Sequence, residues 1–305
     1  MTPLKTAIGT YGATKPLKEG RVPTNGMTLE HIEVEPIIAA MRRMCRGLEF
    51  DICEMAFTTY LCARAAGKPF TAIPVFVTRN FHHWAISINT KSGIKEPKDL
   101  EGRVVGVNRG YTVTTGLWAR GILQSQYGVN LDKVTWVPTD DEHVQEFKAP
   151  PNVDYARFRG RNLSELLETG QIDAAIGEMK SDSPDIRQLI PDARNAAFDY
   201  FRKTGIYPIN HGVVIKNALL KERPSLADDL FRAFEGSKAI YMKNLDGNSM
   251  TAWDKAAADN AKVVGDPFPY GIEANRKALE AITQFGVDQR MTPRKFTVEE
   301  LFAVN

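Results

Sequence analysis

Polar and ionisable side chains follow two apolar, strand-like segments at residues 50–53 and 70–77. In open α/β sheets, small molecules bind at the carboxyl ends of the strands. Side chains of these types can hold an anion, form hydrogen bonds, or give and take a proton. The set comprises Glu54, Thr58, Thr59, Arg79, His82 and His83. The sequence therefore predicts a site for a small polar or anionic ligand.

A loop rich in glycine and threonine, NRGYTVTTG at residues 108–116, offers a second set of donors. Its hydroxyls and amides precede a predicted helix, and the positive end of a helix attracts anions. Guanidinium groups match carboxylates in bidentate geometry, so Arg109 here and Arg79 above are expected to hold carboxylates. The ligand contacts predicted in this loop are Arg109, Tyr111, Thr112 and Thr114.

Four other residues near predicted strand ends have roles that the residues alone leave open. His211 begins an apolar Val-Val-Ile strand, where it can face a ligand or act as a buried structural histidine. Glu54 precedes a helix predicted at residues 55–66, where it can accept a hydrogen bond from a ligand hydroxyl or stabilise the helix dipole. Glu178 is a candidate proton acceptor. Tyr11 is a candidate for stacking on, or hydrogen bonding to, an aromatic ligand.

The residue types that bind metals or form disulfides lack the usual spacings. The three histidines His82, His83 and His211 could in principle share a metal ion, but no HxH, HxxxH or HExxH spacing supports this. The three cysteines form no CxxC pair and lie in apolar surroundings, which is typical of small buried hydrophobes. They are Cys45, Cys53 and Cys62. We predict no metal site and no disulfide framework.

The bulk composition narrows the class of partner. The chain has 305 residues, 43% hydrophobic and 25% charged, with a formal net charge of +2. No basic block stands out, which argues against nucleic acid or an anionic membrane as the main partner. No run approaches the ~20 apolar residues that span a bilayer, and the N-terminus lacks the apolar stretch of an export signal. We expect a cytoplasmic protein that binds a small molecule, and a homo-oligomer is compatible with the sequence.

Short apolar runs alternate with helical patterns, which is typical of an α/β fold with largely parallel strands. Hinges are predicted near residues 90–93 and 204–207, with a ligand cleft between two lobes that close on the ligand. The predicted lobes are residues 1–92 with 206–305, and residues 93–205. Residues 138–161 lack periodicity and are expected to form either a lid or functional loop, or a plain surface loop.

Several segments resemble those of a known enzyme family. PKDLEG at 97–102 and GQIDAAIGE at 170–178 are widely shared by proteins with the type II periplasmic-binding-protein fold. A narrower set is similar to the 4,5-dihydroxyphthalate decarboxylase family over most of residues 8–214. Its segments are FDICEMAFTTYL (50–61), PVFVTRNFHHWAI (74–86), SGIKEPKDLEGRVVGV (92–107) and WARGILQSQYGV (118–129). The chain has His82-His83 where the family pattern has Arg-His, and this departure bears on the substrate.

The resemblance implies a cytoplasmic enzyme that converts 4,5-dihydroxyphthalate to protocatechuate and CO2 without a cofactor. In such a reaction the ring carbon that bears the carboxylate is protonated while a ring hydroxyl gives up its proton. Histidine suits the role of the acid, because its ordinary pKa lies near ~6.5. We predict His83, which matches the family position, as the acid, with His82, His211 and Glu178 as further catalytic candidates. A structural role for His82 or His83 is the alternative.

Two other functions remain open at this point. The same fold serves solute-binding proteins, which would capture an aromatic or other small carboxylate for transport. A related lyase or hydrolase on the same scaffold is a third option. The histidines beside Arg79 and the absence of an export signal favour the decarboxylase.

Overall fold

The computed structural model describes residues 2–243, 245 and 251–303, and it divides the chain into two compact units. The first unit comprises Met1–Arg79, Ile209–Leu279 and Phe296–Asn305. The second unit comprises Asn80–Pro208 and Glu280–Lys295. Each unit contains one five-stranded sheet.

These units differ from the predicted lobes at two places. Residues 80–92 belong to the second unit rather than the first, because the strand Ile86–Asn89 pairs with two strands of the second sheet. Residues 280–295 also belong to the second unit, where the Gln289 side chain donates to the Leu117 carbonyl over 2.9 Å. The hinges and the closure of the lobes stay predictions.

The secondary structure alternates between strands and helices through most of the chain. The strands are β1 (Leu4–Ala7), β2 (Leu29–His31), β3 (Ile52–Ala56), β4 (Phe70–Arg79), β5 (Ile86–Asn89), β6 (Val104–Val107), β7 (Thr135–Pro138), β8 (Ala174–Ile176), β9 (Ile186–Gln188) and β10 (Ile209–Lys216). The α-helices are α1 (Lys15–Lys18), α2 (Ile38–Gly47), α3 (Phe57–Ala65), α4 (Thr114–Tyr127), α5 (Leu163–Glu168), α6 (Ala193–Thr204), α7 (Asn217–Glu222), α8 (Leu226–Lys243), α9 (Ala252–Val264) and α10 (Arg276–Asp288).

The first sheet has the strand order β2-β1-β3-β10-β4. Strands β1, β2 and β3 are parallel, whereas β10 runs antiparallel to both β3 and β4. The amino end of β10 therefore meets the carboxyl ends of β1 and β3 at one edge of the sheet. One face packs on helix α8 in an apolar core that includes Ile52, Val75, Val213, Leu230 and Phe234. This core fixes the strands whose ends carry the first group of candidate residues.

The second sheet has the strand order β7-β6-β8-β5-β9. Strands β6, β7 and β8 are parallel, and β5 is antiparallel to both β8 and β9. The carboxyl ends of three neighbouring strands thus share an edge, followed in sequence by Asn108, Thr139 and Glu178. Leu163, Leu166 and Leu167 of α5 pack in the apolar cluster below it.

Several local predictions need correction. Both sheets are mixed rather than largely parallel, because β10 and β5 return against their neighbours. The predicted hinge near residues 204–207 begins at the last residue of helix α6 (Ala193–Thr204), which Gly205 closes with a φ of 72°. The prediction that Cys45, Cys53 and Cys62 are buried thiols is confirmed.

The long segment at residues 138–161 runs along strand β7 with no helix of its own. The Asp154 amide donates to the Trp136 carbonyl and the Trp136 amide donates to the Asn152 carbonyl, both over 2.9 Å. The Gly160 amide donates to the Thr139 carbonyl over 2.7 Å. These bonds satisfy backbone groups at the edge of the sheet, and covering an edge strand with a loop is one way in which proteins prevent unwanted pairing there.

Candidate functional site

A buried carboxylate, that of Glu54, lies where the carboxyl ends of β1 and β3 meet the amino end of β10. Glu54 has no exposed surface, and its carboxylate accepts three hydrogen bonds. The Gly9 amide donates to Oε2 over 2.8 Å, the Tyr11 hydroxyl donates to Oε1 over 2.8 Å, and His211 Nδ1 lies 2.6 Å from Oε1. An ionised carboxylate only accepts hydrogen bonds, so Nδ1 of His211 carries the proton. We call these four residues the Glu54 network.

The register of strands β3 and β10 explains why Glu54 and His211 meet. Val213 is the direct partner of Glu54 across the antiparallel pair. His211 lies two residues before Val213 and therefore points to the same face of the sheet, diagonally opposite Glu54. The helix predicted at residues 55–66 begins two residues later, at Phe57, and Glu54 is the third residue of β3.

The turn after β1 brings Tyr11 back over the end of the sheet. A Cβ on Gly9 would lie 2.5 Å from the Tyr11 hydroxyl oxygen, so this position accepts only glycine without a shift of the tyrosine. Thr14 fixes the turn, because its hydroxyl donates to the Gly9 carbonyl over 2.7 Å and accepts from the Tyr11 amide over 2.8 Å. Burial and the neighbouring Glu54 carboxylate raise the pKa of Tyr11, which therefore stays protonated as a hydrogen-bond donor.

His211 combines a buried anchor with an accessible ring. Its side chain retains 20% exposure, while its carboxylate partner has none. Within the described ranges, the Nε2 atom has no protein hydrogen-bond partner. Because Nδ1 is held by Glu54, Nε2 is the atom left to give or take a proton. The arrangement can perform general acid–base chemistry at the edge of the first sheet.

Trp253 is a neighbour of this network that the sequence analysis did not single out. Its ring, near the start of α9, stacks on Tyr11 with centroids 6.1 Å apart and an interplanar angle of 29°. A tryptophan in an amphipathic helix is equally typical of the apolar core, so no local sequence signal identifies Trp253 as part of the site.

Arg79, Thr58 and Thr59 are buried side chains of the first unit. Arg79 is the last residue of β4, is buried, and donates from Nη1 to the Asn275 side chain. The Asn275 amide nitrogen in turn donates to the carbonyls of Pro269 and Gly271 over 2.8 and 2.7 Å. Thr58 and Thr59 lie in the first turn of α3 and are also buried. Ligand contact by these three residues stays a prediction.

His82 and His83 belong to the second unit and have no exposed surface. The His83 ring packs against Tyr200 with centroids 5.5 Å apart, and its Nε2 lies 2.9 Å from Oε1 of Gln126. Burial lowers the pKa of His83, since the imidazolium form loses hydration. The expectation that His83 sits in an open cleft is therefore wrong, while its catalytic role stays a prediction.

The loop at residues 108–116 does gather around a carboxylate, but the carboxylate belongs to the chain itself. Glu142 accepts from the Thr112 amide over 3.2 and 3.3 Å, and from the hydroxyls of Thr112 and Tyr155. Arg109 adopts a left-handed backbone with a φ of 69°, and its amide donates to the Thr139 hydroxyl over 2.9 Å. Sequence reasoning missed Glu142, because it lies 30 residues from Thr112 in an aperiodic segment.

The other residues predicted in this loop take up structural positions. Tyr111 is buried, stacks on Phe147 with centroids 6.3 Å apart, and lies beneath the guanidinium of Arg120 at 3.8 Å from ring centroid to Cζ. Thr114 is the buried first residue of α4. Their contact with a ligand stays a prediction.

Glu178 lines a pocket of about 510 Å³ at the carboxyl ends of β6, β7 and β8. Asn108, Thr139, Arg161 and Lys180 are among its other lining residues. The Asn108 side chain donates to the Glu178 carbonyl over 3.1 Å, which joins the pocket to the 108–116 loop. The volume falls in the range of small-molecule sites.

Within each unit, some of the candidate residues come together. Tyr11, Glu54 and His211 meet in the first unit, and Arg109 and Thr112 share a loop in the second. In the part of the chain that the structure describes, no three His, Cys, Asp or Glu side chains are grouped so that they could hold a metal ion. No helix among the described residues is both long and apolar enough to cross a bilayer.

Comparison with known proteins identifies the fold. The chain superimposes on the periplasmic aliphatic sulphonate binding protein of Escherichia coli with a TM-score of 0.54 and 13% identity, over 99% of this chain and 98% of that one. Two α/β units with mixed five-stranded sheets, together with this likeness, define a type II periplasmic-binding-protein-like fold. A family model described as NMT1/THI5 like matches residues 49–151.

Sequence comparison narrows the class to a family of enzymes. The chain is 29% identical to a 4,5-dihydroxyphthalate decarboxylase of Comamonas testosteroni over 98% of this chain and 96% of the relative. It is 31% identical to a 4,5-dihydroxyphthalate decarboxylase of Pseudomonas putida over 65% of this chain and 81% of the relative. The chain is a carboxy-lyase and belongs to the 4,5-dihydroxyphthalate decarboxylase family.

Proposed function

We propose that this chain removes CO2 from a dihydroxylated aromatic carboxylate, with 4,5-dihydroxyphthalate as the substrate and protocatechuate as the product. The main support is the similarity along 98% of the chain to a relative of that name. The Glu54 network adds a physical reason, because it supplies an oriented imidazole that can protonate a carbon atom. We further propose that the enzyme acts in the cytoplasm.

Loss of CO2 from a ring carbon requires one proton to arrive there. His211 Nε2 gives its proton to the carbon that bears the carboxylate, while the ring hydroxyl para to that carbon releases its proton and pushes electrons into the ring. The carbon–carboxylate bond then breaks, its electrons restore the aromatic ring, CO2 leaves, and the hydroxyl regains a proton. Because the hydroxyl supplies the electrons, we expect the reaction to need no organic cofactor and no metal.

His211 suits the acid role better than His83 in this scheme. Its Nδ1 is anchored 2.6 Å from Glu54 Oε1, which fixes the orientation of the ring, and the side chain keeps 20% exposure, so that Nε2 can reach a substrate. His83 is enclosed, and burial lowers its pKa and so disfavours the protonated form. His82 and Glu178 remain further candidates for proton transfer.

The test is to incubate the purified protein with 4,5-dihydroxyphthalate and to measure CO2 and protocatechuate. His211→Gln should lower kcat by about 10² to 10⁴, the usual share of general acid catalysis. His31→Gln is the matched control, since His31 is a half-exposed histidine of the same unit, and it should behave as wild type. Treatment with a chelator should leave the wild-type rate unchanged.

A solute-binding role is the second candidate, and the shared fold with a sulphonate-binding protein favours it. It predicts tight binding of the dihydroxyphthalate without release of CO2. Turnover with wild-type kcat in His211→Gln would leave the decarboxylase function in place and remove His211 as its acid. Activity that is lost to a chelator and restored by a divalent ion would overturn the proposal that no metal is needed.

A further inference from the structure

The Glu142 side chain occupies the position that an anionic ligand of the 108–116 loop would take. Its two oxygens receive one amide donor and two hydroxyl donors from Thr112 and Tyr155. Hydrogen bonds to a charged acceptor are among the stronger ones in proteins. Donors that converge on a carboxylate in this way would serve a carboxylate from any source.

Gly110 lets the carboxylate lie directly against the loop backbone. A Cβ at this position would stand 2.7 Å from both Glu142 oxygens, closer than real Cβ atoms approach other atoms. The Thr112 amide, two residues further on, donates to both oxygens over 3.2 and 3.3 Å. The loop is therefore shaped around a planar, negatively charged group.

Arg120 places a buried positive charge behind this loop. Arg120 on helix α4 is fully buried, donates from Nη2 to the Tyr111 carbonyl over 2.7 Å and from Nε to the Gln289 side chain over 2.8 Å. Its Nη1 has no hydrogen-bond partner and lies 3.0 Å from where a Cβ of Gly116 would be. Within the described residues no carboxylate pairs with it. A buried cation without a direct ion pair favours an anion nearby, and the Glu142 carboxylate is the anion that acts on Arg120 now.

We propose that the 108–116 loop, backed by Arg120, is a receptor for a carboxylate group of the ligand, and that Glu142 is its resident occupant. The ligand must displace Glu142 to bind. This inference rests on the proposed function in one respect: an aromatic dicarboxylate loses one carboxylate and keeps the other, so the enzyme needs a site for the group that stays. Displacement would also break the contact between Thr112 and the segment at residues 138–161, which carries both Glu142 and Tyr155.

Competition between Glu142 and the ligand gives the proposal a distinctive signature. Glu142 and Thr112 are two partners in one contact, so a purely structural contact predicts that removing either partner shifts ligand affinity in the same direction or not at all. Displacement predicts opposite shifts. Removing Glu142 empties the receptor and tightens binding, whereas removing the Thr112 hydroxyl takes a donor from the receptor and weakens binding.

The experiment is a calorimetric titration of each variant with phthalate, which has both carboxylates but no ring hydroxyl to start decarboxylation. Glu142→Ala should bind phthalate roughly fivefold to tenfold more tightly than wild type, and Glu142→Gln should shift the same way by less, because an amide is a weaker competitor. Thr112→Val should bind roughly threefold to tenfold more weakly. Glu146→Gln, an exposed carboxylate in the same segment, is the matched control and should match wild type.

Opposite shifts in the Glu142 and Thr112 variants support the displacement. Equal affinities, or shifts in the same direction, overturn it. Glu142→Gln preserves the shape of the side chain, so a folding defect in Glu142→Ala leaves the test intact. Binding of phthalate needs no turnover. If the two variants shift phthalate affinity in opposite directions but the protein releases no CO2, this inference stands and the decarboxylase function is rejected. If the affinities shift in the same direction and the protein releases CO2, this inference is rejected and the decarboxylase function stands.

Discussion

Replacing Glu54 with glutamine tests the proposed active centre most directly. The substitution preserves the shape of a side chain that has no exposed surface and removes only its charge and one acceptor. Three donors now point at it: the Gly9 amide at Oε2, and Tyr11 and His211 at Oε1. A glutamine offers one oxygen and one NH2 group, so it cannot accept all three bonds in this geometry.

Either orientation of the glutamine amide has a definite cost. With its oxygen toward His211, the NH2 group meets the Gly9 amide, and a buried donor is left unpaired at about 1–3 kcal/mol in the free energy of unfolding. With its oxygen toward Gly9, the NH2 group faces His211 Nδ1, which must then accept. The proton moves to Nε2 in a neutral imidazole, and no carboxylate remains to stabilise the imidazolium. We expect Glu54→Gln to lower kcat by about 10²-fold or more.

The assay pairs initial rates of protocatechuate formation with urea unfolding of the same preparation. Glu49→Gln is the control, since Glu49 is an exposed carboxylate paired with Arg43 in the same unit, and it should change neither quantity measurably. A Glu54→Gln enzyme that keeps kcat within threefold of wild type would refute the reasoning that Glu54 orients and charges His211. An unchanged free energy of unfolding would refute the three-donor geometry.

Three further outcomes follow from the same structure. Tyr11→Phe keeps the ring that stacks on Trp253 but removes one donor to Glu54. The free energy of unfolding should therefore fall by about 1 kcal/mol, and kcat should fall by less than in Glu54→Gln. A kcat as low as that of Glu54→Gln would contradict this. Gly9→Ala should displace the Tyr11 hydroxyl and cost about 1–3 kcal/mol in thermal or urea unfolding, whereas Gly47→Ala, with open space around its Cα, should be neutral or stabilising. Burial lowers the pKa of His83, so its contribution to stability is fully present above the unfolded value near ~6.5 and is lost as the pH falls toward the folded value. His83→Gln should therefore lose less stability than wild type between about pH 7.5 and 5.5, and equal losses in urea titrations would contradict the assigned burial.

Local patterns were sufficient for much of the fold. Apolar runs and helical periodicity placed the strand-like segments at residues 50–53 and 70–77 and the helix at 55–66 within a few residues of β3, β4 and α3, because burial of one face dictates those patterns. The short edge strands β2 and β9 were not predicted, because three residues are too few to show a periodicity. The mixed direction of the sheets also escaped, because β10 enters between β3 and β4 from a point far along the chain.

The candidate site shows where sequence reasoning stops. Tyr11, Glu54 and His211 were each recognisable from their positions near strand ends, but their contact was not. The hydrogen bond between Glu54 and His211 joins residues 157 positions apart and depends on the register of an antiparallel pair. Glu142 and Arg120 were not predicted for the same reason. A carboxylate in an irregular segment and an arginine in an amphipathic helix are both typical of surface residues, and only their partners in the fold show otherwise.

The contrast between His83 and His211 shows what decides an acid–base role. In the sequence, His83 follows an apolar strand and His211 lies near the start of one, and the family pattern favours His83. Their environments differ in the access of a ring nitrogen to a ligand, which a proton donor needs. His83 is enclosed beside an amide and an aromatic ring, which disfavours its charged form, whereas His211 keeps one nitrogen accessible and has the other against a buried carboxylate. A buried Glu54 carboxylate needs hydrogen-bonding partners, so the contact that satisfies Glu54 also fixes the orientation of the His211 ring.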